Sequence, residues 1–188
     1  MTVAIVNPGS GNITSICDAL SRLNRSFRVL ETPSLQGIGQ IVLPGQGRFG
    51  PVMRFLRERG WVQPLRQWVE EGKPLVGICV GMQALFEGSD EDPDVPGLGI
   101  FRGRSEKLAG PKHPMIGWAR VHWRGGKESS AYFVNSYAVP SHPRSIATTT
   151  YGNAFCAAIA QDGVRAYQFH PEKSGVEGKE LLASCLIF

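Results

Sequence analysis

The first half of the chain alternates short apolar runs with longer segments in which apolar residues recur at helical spacing. The short runs have the length of buried strands and cover residues 3–6, 27–30, 40–43 and 75–78. Helical spacing appears in the first connection, where Ile16 and Leu20 share one face, and over residues 53–71, with a break near Gly60 and Pro64. This alternation predicts a parallel sheet with right-handed crossovers.

The second half changes to short β-type runs that are separated by Gly, Pro and Ser. These runs cover residues 115–123, 131–137, 145–150, 155–160 and 165–169. The acidic stretch at residues 89–96 is expected to be a surface loop, and residues 174–188 return to helical spacing. The pattern predicts a single α/β domain over residues 1–188. Its mostly parallel, flavodoxin-like central sheet would be flanked by helices, with a mixed or antiparallel β extension in the C-terminal half.

The composition narrows the class of protein. Hydrophobic residues make up 42% of 188 residues, no apolar run is as long as a membrane span, and residues 1–8 read as a first strand rather than a signal peptide. The net charge of +4 is modest and forms no basic stripe, so neither nucleic acid nor membrane is an expected partner. Cys17, Cys79, Cys156 and Cys185 are far apart in sequence and lack metal-ligand spacing, which favours a reducing cytoplasm and argues against a structural zinc site. We expect neither a metal nor a cofactor.

A thiol stands on a predicted sharp turn in the segment Gly77-Ile-Cys-Val-Gly81. The apolar run before it predicts a strand, and residues 82–86 read as the start of a helix. This is the cysteine version of a nucleophile elbow, in which small flanking residues allow a strained turn and the helix N-terminus favours the thiolate. The motif alone leaves open a buried cysteine that packs as a small hydrophobic residue.

A nucleophilic cysteine needs a base, and His170 fits that role best among the four histidines. It ends the predicted strand at residues 165–169, Pro171 stops further strand pairing, and Glu172 is two residues away. A carboxylate beside the imidazole would fix its tautomer and raise its pKa, which favours an imidazolium–thiolate pair. The alternative is a strand-end histidine beside a solvated acid. The remaining histidines are expected to be surface or structural residues: His113, His122 and His142.

A loop with two glycines, Pro44-Gly-Gln-Gly47, follows the third predicted strand. Such a loop is often only a tight turn, but glycines also let backbone N–H groups face a ligand or a developing anion. In a parallel sheet, the loops at the carboxyl ends of the strands share one edge, where ligands bind. The loops at residues 7–12 and 44–47 and the turn at Cys79 are therefore predicted to converge.

Three segments together resemble the class I (triad) glutamine amidotransferases: Gly77-Ile-Cys-Val-Gly-Met-Gln83, Pro44-Gly-Gln-Gly47 and Gln168-Phe-His-Pro-Glu-Lys-Ser174. The resemblance covers nearly the whole chain. Within that family, the chain looks like the glutaminase subunits of imidazole glycerol phosphate synthases, which serve histidine biosynthesis. Further matching segments are Gly11-Asn12, Phe49-Gly50, Gly117-Trp118 and Tyr132-Phe-Val-Asn-Ser-Tyr137.

The resemblance implies an enzyme that hydrolyses glutamine to glutamate and ammonia. Cys79 would attack the side-chain amide of glutamine, giving a γ-glutamyl thioester and releasing ammonia. His170 would accept the thiol proton, donate it to the leaving ammonia and later activate the hydrolytic water. Glu172 would orient His170.

An oxyanion hole and a glutamine pocket are also implied. The N–H of Val80 and one N–H from Gly45, Gln46 or Gly47 would form the oxyanion hole. Gln83 would bind the α-amino or carboxylate end of glutamine, with the backbone of residues 136–137 opposite. The implied substrate-binding residues are Gly47, Gln83, Asn135, Ser136 and Tyr137.

The resemblance further implies a partner, a (β/α)8 cyclase that forms a heterodimer with the glutaminase. Ammonia would pass through the core of the cyclase to a phosphoribosyl-linked imidazole-carboxamide. Because the partner docks over the mouth of the active site in this family, Asn12 and Lys173 are implied as interface residues.

Two positions depart from the pattern of the family. Asn135 stands where a histidine is expected, and asparagine can form hydrogen bonds but cannot take a proton near neutral pH. Ala119 stands where an asparagine is expected, which weakens the assignment of its segment to the partner interface. Two alternatives therefore stay open: a glutaminase that serves a paralogous synthase, and a non-catalytic scaffold or regulatory homologue.

Overall fold

A computed structural model of the chain describes residues 2–7 and 13–186, which form twelve strands and five α-helices. The strands are β1 (Thr2–Val6), β2 (Phe27–Leu30), β3 (Ile38–Gly45), β4 (Leu75–Cys79), β5 (Gly88–Ser89), β6 (Arg104–Lys107), β7 (Met115–Trp123), β8 (Glu128–Asn135), β9 (Tyr137–Ala138), β10 (Ser145–Tyr151), β11 (Asn153–Gln161) and β12 (Val164–Tyr167). The helices are α1 (Thr14–Arg22), α2 (Phe49–Glu58), α3 (Val62–Glu70), α4 (Val80–Ala84) and α5 (Gly175–Cys185), and a 3-10 turn spans Pro171–Lys173.

Nine of these strands form one sheet in the order β2-β1-β3-β4-β12-β11-β10-β7-β8. The first five are mutually parallel, in the strand order of a flavodoxin-like sheet. The remaining four join by antiparallel pairing. The predicted α/β fold with a mixed C-terminal extension is therefore confirmed.

The helices cover the parallel part of the sheet with their apolar faces. Ile16 and Leu20 of α1 are buried, as the helical spacing predicts. The predicted helical region divides into α2 and α3 at Gly60, whose φ of 72° is favourable only for glycine. Pro64 does not break a helix, because it lies in the first turn of α3, where no N–H is needed for an intrahelical bond. Helix α2 begins at Phe49, earlier than the predicted start at residue 53.

The acidic stretch at residues 89–96 is not a simple surface loop. Ser89 is buried and accepts a hydrogen bond from the hydroxyl of Ser105 at 2.7 Å. Glu91 and Asp92 accept hydrogen bonds from the N–H groups of Phe49 and Gly50, at 2.8 and 2.9 Å. These are the first N–H groups of α2, which have no acceptor within their own helix. The stretch therefore caps the helix that follows the glycine loop.

The C-terminal strands follow their predicted ranges closely. Strand β7 coincides with the predicted residues 115–123, β10 and β11 extend slightly beyond 145–150 and 155–160, and β8 and β12 are shifted toward the N-terminus. Strand β8 ends at Asn135, and after Ser136 the chain pairs with β6 in a small second sheet of β5, β6 and β9. Strand β12 ends at Tyr167, before His170. Phe133, at the centre of β8, packs edge-to-face on Phe155 and Phe169, which joins this extension to the main core. None of the helices within residues 2–7 and 13–186 is long and apolar enough to cross a membrane.

Candidate active site

Three neighbouring strands bring the predicted site together at one edge of the sheet. The β3–β4 register places Gly45 directly opposite Cys79, and the β12–β4 register places Tyr167 opposite Ile78. The segment that carries His170 follows β12 immediately. Parallel pairing therefore gathers the glycine loop, the thiol and the histidine segment at the carboxyl ends of adjacent strands. The predicted convergence of the glycine loop with Cys79 is confirmed, whereas residues 8–12 of the first loop lie outside the described residues.

Cys79 sits on a strained turn between β4 and α4. Its φ of 54° and ψ of −115° are unfavourable for a residue with a side chain, and the surrounding structure must hold them in place. Gly81 allows the close approach, because a Cβ there would lie 1.9 Å from the carbonyl oxygen of Leu43. Helix α4 starts at Val80 and is only five residues long. These features give the turn the strained strand-to-helix geometry that the sequence predicts for it.

The predicted oxyanion residues lie against this elbow. A Cβ on Gly45 would lie 2.5 Å from the main-chain nitrogen of Gly81, so the two backbones are in direct contact. Gly47 is exposed with a φ of 82°, and Gln46 is half-buried. Val80 is the first residue of α4, so its N–H has no acceptor within the helix. The site thus combines a helix-start N–H with a glycine loop beside the thiol.

His170 is fixed by its neighbours on both the ring and the main chain. Its Nδ1 lies 2.8 Å from Oε1 of Glu172, and only 4% of the histidine side chain and 1% of the glutamate side chain are exposed. The N–H of His170 donates to the carbonyl of Tyr132 at 3.0 Å, and its carbonyl accepts from the Ser174 hydroxyl at 2.7 Å. Because Glu172 occupies Nδ1, the other ring nitrogen is left for Cys79.

The surroundings of His170 raise the pKa of its imidazole. Burial alone would lower the pKa of His170, but hydrogen bonds to Cys79 and Glu172 and the charges of both partners raise it to about 10. The imidazole therefore retains its proton at neutral pH. By contrast, burial raises the pKa of the Cys156 thiol to about 11, and burial and the charge of Asp18 raise that of Cys17. Those two thiols stay protonated.

The predicted substrate-binding residues line a wall beside the elbow. The side-chain nitrogen of Gln83 donates to the carbonyl of Tyr137 at 2.9 Å, and that of Asn135 donates to the same carbonyl at 3.1 Å. The carbonyl of Ser136 accepts from the N–H of Leu108 at 3.0 Å. Asn135 therefore supports the main chain of this wall, while its Oδ1 is buried with no partner among the described residues.

Some predicted residues lie away from these contacts. Lys173 is half-buried on the 3-10 turn directly after Glu172, whereas Asn12 lies outside the described residues. Trp118 lies on strand β7 with 58% of its surface exposed, and its ring passes within 3.7 Å of the position of a Cβ on Gly175. Ala119, the second departure, pairs with Ala131 within the same hairpin.

Sequence reasoning missed two features of the site. Gln168 is fully buried, and its Nε2 lies 3.8 Å from the sulfur of Cys79. The position of Gln168 directly before Phe169 and His170 is the signal that could have drawn attention to it. Glu91 and Asp92 fix α2 behind the glycine loop, but their role depends on a tertiary contact that a turn-rich acidic stretch does not reveal.

Known proteins are similar in sequence to this chain over nearly its whole length. The family described as glutamine amidotransferase class-I matches residues 4–187. A protein of Thermus thermophilus, named imidazole glycerol phosphate synthase subunit HisH, is 40% identical over 97% of this chain and 96% of its own. One from Emericella nidulans, named imidazole glycerol phosphate synthase hisHF, is 38% identical over 98% of this chain but only 38% of its own.

Solved structures resemble the fold at lower identity. A crystal structure described as a glutamine amidotransferase has a TM-score of 0.79 at 22% identity and covers 96% of both chains. The structure of PurLQS from Thermotoga maritima has a TM-score of 0.80 at 18% identity and covers 98% of this chain and 97% of that one. At these identities, the likeness establishes the shared fold.

Proposed function

We propose that this chain, which belongs to the class I glutamine amidotransferase family, is the glutaminase subunit of an imidazole glycerol phosphate synthase. It hydrolyses glutamine and supplies ammonia for histidine biosynthesis. The observation that carries the proposal is the strained Cys79 elbow, beside which a buried His170–Glu172 pair lies 2.8 Å apart. The full-length similarity to HisH subunits supports the identity of the synthase.

In the first half of the proposed reaction, Cys79 is the nucleophile. Its sulfur forms a bond with the amide carbon of the glutamine side chain, and His170 holds the proton that leaves the thiol. The tetrahedral intermediate collapses when His170 gives this proton to the departing nitrogen. Ammonia leaves and a γ-glutamyl thioester remains on Cys79. The raised pKa of His170 suits this proton transfer, because the imidazolium is available at neutral pH.

In the second half, water attacks the carbonyl carbon of the thioester. His170 accepts a proton from the water and returns it to the sulfur, so that glutamate leaves and the thiol is restored. Both halves pass through an oxyanion. We assign its stabilisation to the N–H of Val80 and one N–H from residues 45–47, because the glycine loop touches the elbow at Gly45.

The glutamine pocket is proposed along the wall formed by Gln83 and residues 135–137. Gln83 and Asn135 both hold the Tyr137 carbonyl, which gives the wall a fixed shape before substrate arrives. Gly47, which is exposed at the end of the glycine loop, lies on the same edge of the sheet. Asparagine at position 135 keeps this hydrogen-bonding role without titrating.

We also propose a (β/α)8 cyclase as the partner, docked over the site in a heterodimer that channels ammonia. Exposed apolar side chains lie close to the triad: Trp118 and Val176, at 58% and 74% exposure, flank Gly175. Lys173, two residues before Gly175, adds a positive charge to the same segment. All four thiols are free, which fits our placement of the reaction in the cytoplasm.

A coupled assay tests the identity of the synthase. The chain is mixed with the cyclase of a bacterial imidazole glycerol phosphate synthase and the phosphoribosyl-linked imidazole-carboxamide substrate, and glutamate release is measured. We expect hydrolysis to accelerate only when both are present. If this cyclase neither binds the chain nor accelerates it, while another synthase that co-purifies with the chain does, the chain serves a paralogous pathway.

A further inference from the structure

We propose that Gln168 is a positioning residue for the reaction, and that its side-chain N–H holds the sulfur of Cys79 in its ionised, reactive form. The inference rests on the proposed glutaminase function. It adds a residue outside the Cys79–His170–Glu172 triad to the groups that prepare the nucleophile.

The position of Gln168 follows from strand register. Tyr167, the last residue of β12, lies opposite Ile78 on the parallel strand β4, so the residues that follow them, Gln168 and Cys79, are neighbours. The main-chain N–H of Gln168 donates to the carbonyl of Ala157 at 2.9 Å, which fixes its backbone. Its side chain is fully buried, and its Nε2 lies 3.8 Å from the sulfur.

A backbone carbonyl sets the direction of the hydrogen bonds that reach Cys79. The carbonyl of Tyr137 can only accept, so Gln83 must turn its NH2 group toward it, at 2.9 Å. The same NH2 group donates to Oε1 of Gln168 at 3.0 Å. With its oxygen used in this way, Gln168 must present its own NH2 group to the sulfur. The chain of bonds therefore delivers a donor to Cys79 and cannot be reversed.

A donor at this place favours the thiolate over the thiol. An N–H that donates to the sulfur stabilises the negative charge, because a hydrogen bond to an ionised acceptor is stronger than one to a neutral acceptor. The thiol has a competing contact, since it can donate to the carbonyl of Val134 at 3.9 Å. That carbonyl cannot stabilise the thiolate. Among the described contacts of Cys79, those with Gln168 and His170 are thus the ones that favour the ionised sulfur.

The test compares two buried glutamines that undergo the same substitution. Gln168→Met removes the donor to Cys79 at nearly constant volume. Gln40→Met removes a buried amide that donates to the Cys185 carbonyl at 2.7 Å, away from the elbow on β3. Alkylation of Cys79 by iodoacetamide is followed across pH by mass spectrometry of its peptide. We expect the midpoint to rise by about one pH unit in Gln168→Met and to stay unchanged in Gln40→Met.

Kinetics with the cyclase partner give a second readout. For Gln168→Met, we expect kcat to fall on the order of 10- to 100-fold while KM for glutamine changes less than about threefold, because the lost bond acts on the nucleophile. A purely structural role would lower the melting temperature and leave the alkylation midpoint of the folded fraction where it is. That outcome would overturn the inference.

A second variant covers the case in which Gln168→Met does not fold. Gln168→Glu keeps the shape and the acceptor for Gln83 but replaces the donor with an acidic oxygen. Both the lost donor and the negative charge of a carboxylate disfavour the thiolate, so we expect the alkylation midpoint to rise again. An unchanged midpoint in the folded variant contradicts the proposal. Because alkylation needs no turnover, it also tests the role of Gln168 independently of the proposed glutaminase function. A wild type without glutaminase activity refutes the proposed function, whereas an active wild type with an unshifted Gln168→Glu refutes the role of Gln168 alone.

Discussion

The chemistry at the residue scale depends on how buried groups change one another's protonation. His170 would lose its proton more readily than a free histidine if only its burial acted on it. Its partners reverse this effect, and the side chain of Glu172 is nearly inaccessible to solvent. One oxygen of Glu172 binds the imidazole, and the other has no hydrogen-bond partner among the described residues. The described hydrogen bond of this carboxylate is therefore the one to His170.

Replacing Glu172 should move the alkaline limit of activity. The proposed reaction uses protonated His170, whose pKa of about 10 depends in part on the hydrogen bond and charge of Glu172. In Glu172→Gln that pKa falls, so the imidazolium is lost at a lower pH. We expect the alkaline limb of kcat/KM, measured with the cyclase present, to shift down by about one unit or more, and kcat to fall on the order of 10²- to 10⁴-fold.

The control for this experiment is another glutamate of the same region. Glu177→Gln alters a side chain that accepts from the N–H of Ser130 and has no bond to His170. Its alkaline limb should match that of the wild type. An unshifted limb in Glu172→Gln would show that this carboxylate does not set the protonation of the base.

At the scale of elements, the site depends on how closely β3 approaches the turn between β4 and α4. Gly81 permits this approach because it leaves room for the Leu43 carbonyl of β3, and Gly45 of the same strand contacts the main-chain nitrogen of Gly81. Helix α4 is too short to hold the turn by itself. The geometry of the elbow therefore comes from the packing of the glycine loop against it.

Gly81→Ala tests this dependence. Its Cβ would lie 1.9 Å from the Leu43 oxygen, so the backbone must move, and we expect a loss of about 3 kcal/mol in unfolding free energy. Glutaminase activity should fall more than stability alone explains, because the elbow shifts. Gly88→Ala is the matched control, since its Cβ would make only an ordinary contact with the Val95 oxygen at 3.6 Å. Urea denaturation of both variants measures the difference, and equal losses would contradict the account.

The elements that the sequence predicts well are those defined by local pattern. The apolar runs of β1 to β4 and the helical face of α1 need no knowledge of distant residues. The cap of α2 by Glu91 and Asp92 could not be predicted, because it joins segments about forty residues apart through side chains that favour loops. The contact of Gln168 with Cys79 needs the β12–β4 register, which apolar pattern leaves open.

On the scale of the whole molecule, the two edges of the main sheet differ in the exposed apolar residues that lie near them. β2 forms one edge of the main sheet, and β8 forms the other, next to β7. Among large hydrophobic residues in the described part of the chain, the exposed ones are Val29, Ile116, Trp118 and Val176. Three of these lie on β7 or at the start of α5, close to the triad segment, whereas Val29 lies on β2. Ile116, Trp118 and Val176 thus give this side of the molecule an exposed apolar surface, which is typical of a binding site.

The patch gives a prediction about partner binding. Trp118→Ala removes a large exposed ring that packs against Tyr132 at a centroid distance of 6.1 Å. We expect affinity for the cyclase to fall on the order of 10- to 100-fold, since exposed tryptophans at interfaces often dominate binding energy. Folding stability should change little. Val29→Ala, on the opposite edge, should bind as the wild type does, and calorimetric titration of the cyclase into each variant compares them.

Equal affinities of the Trp118→Ala and Val29→Ala variants for the cyclase would show that the partner binds another face of the molecule. In that case the triad could still hydrolyse glutamine. The proposal of a cyclase docked over the site would fail, because β7 and the start of α5 form the exposed apolar surface beside His170.

We propose that a single thiol, that of Cys79, carries the reaction. The most direct test of this proposal is the release of glutamate and ammonia from glutamine by wild type and Cys79→Ala, each saturated with the cyclase and its nucleotide substrate. We predict turnover by the wild type and a decrease of at least about 10³-fold in the variant, because the covalent route is lost. Equal release of glutamate and ammonia by both proteins would contradict the account.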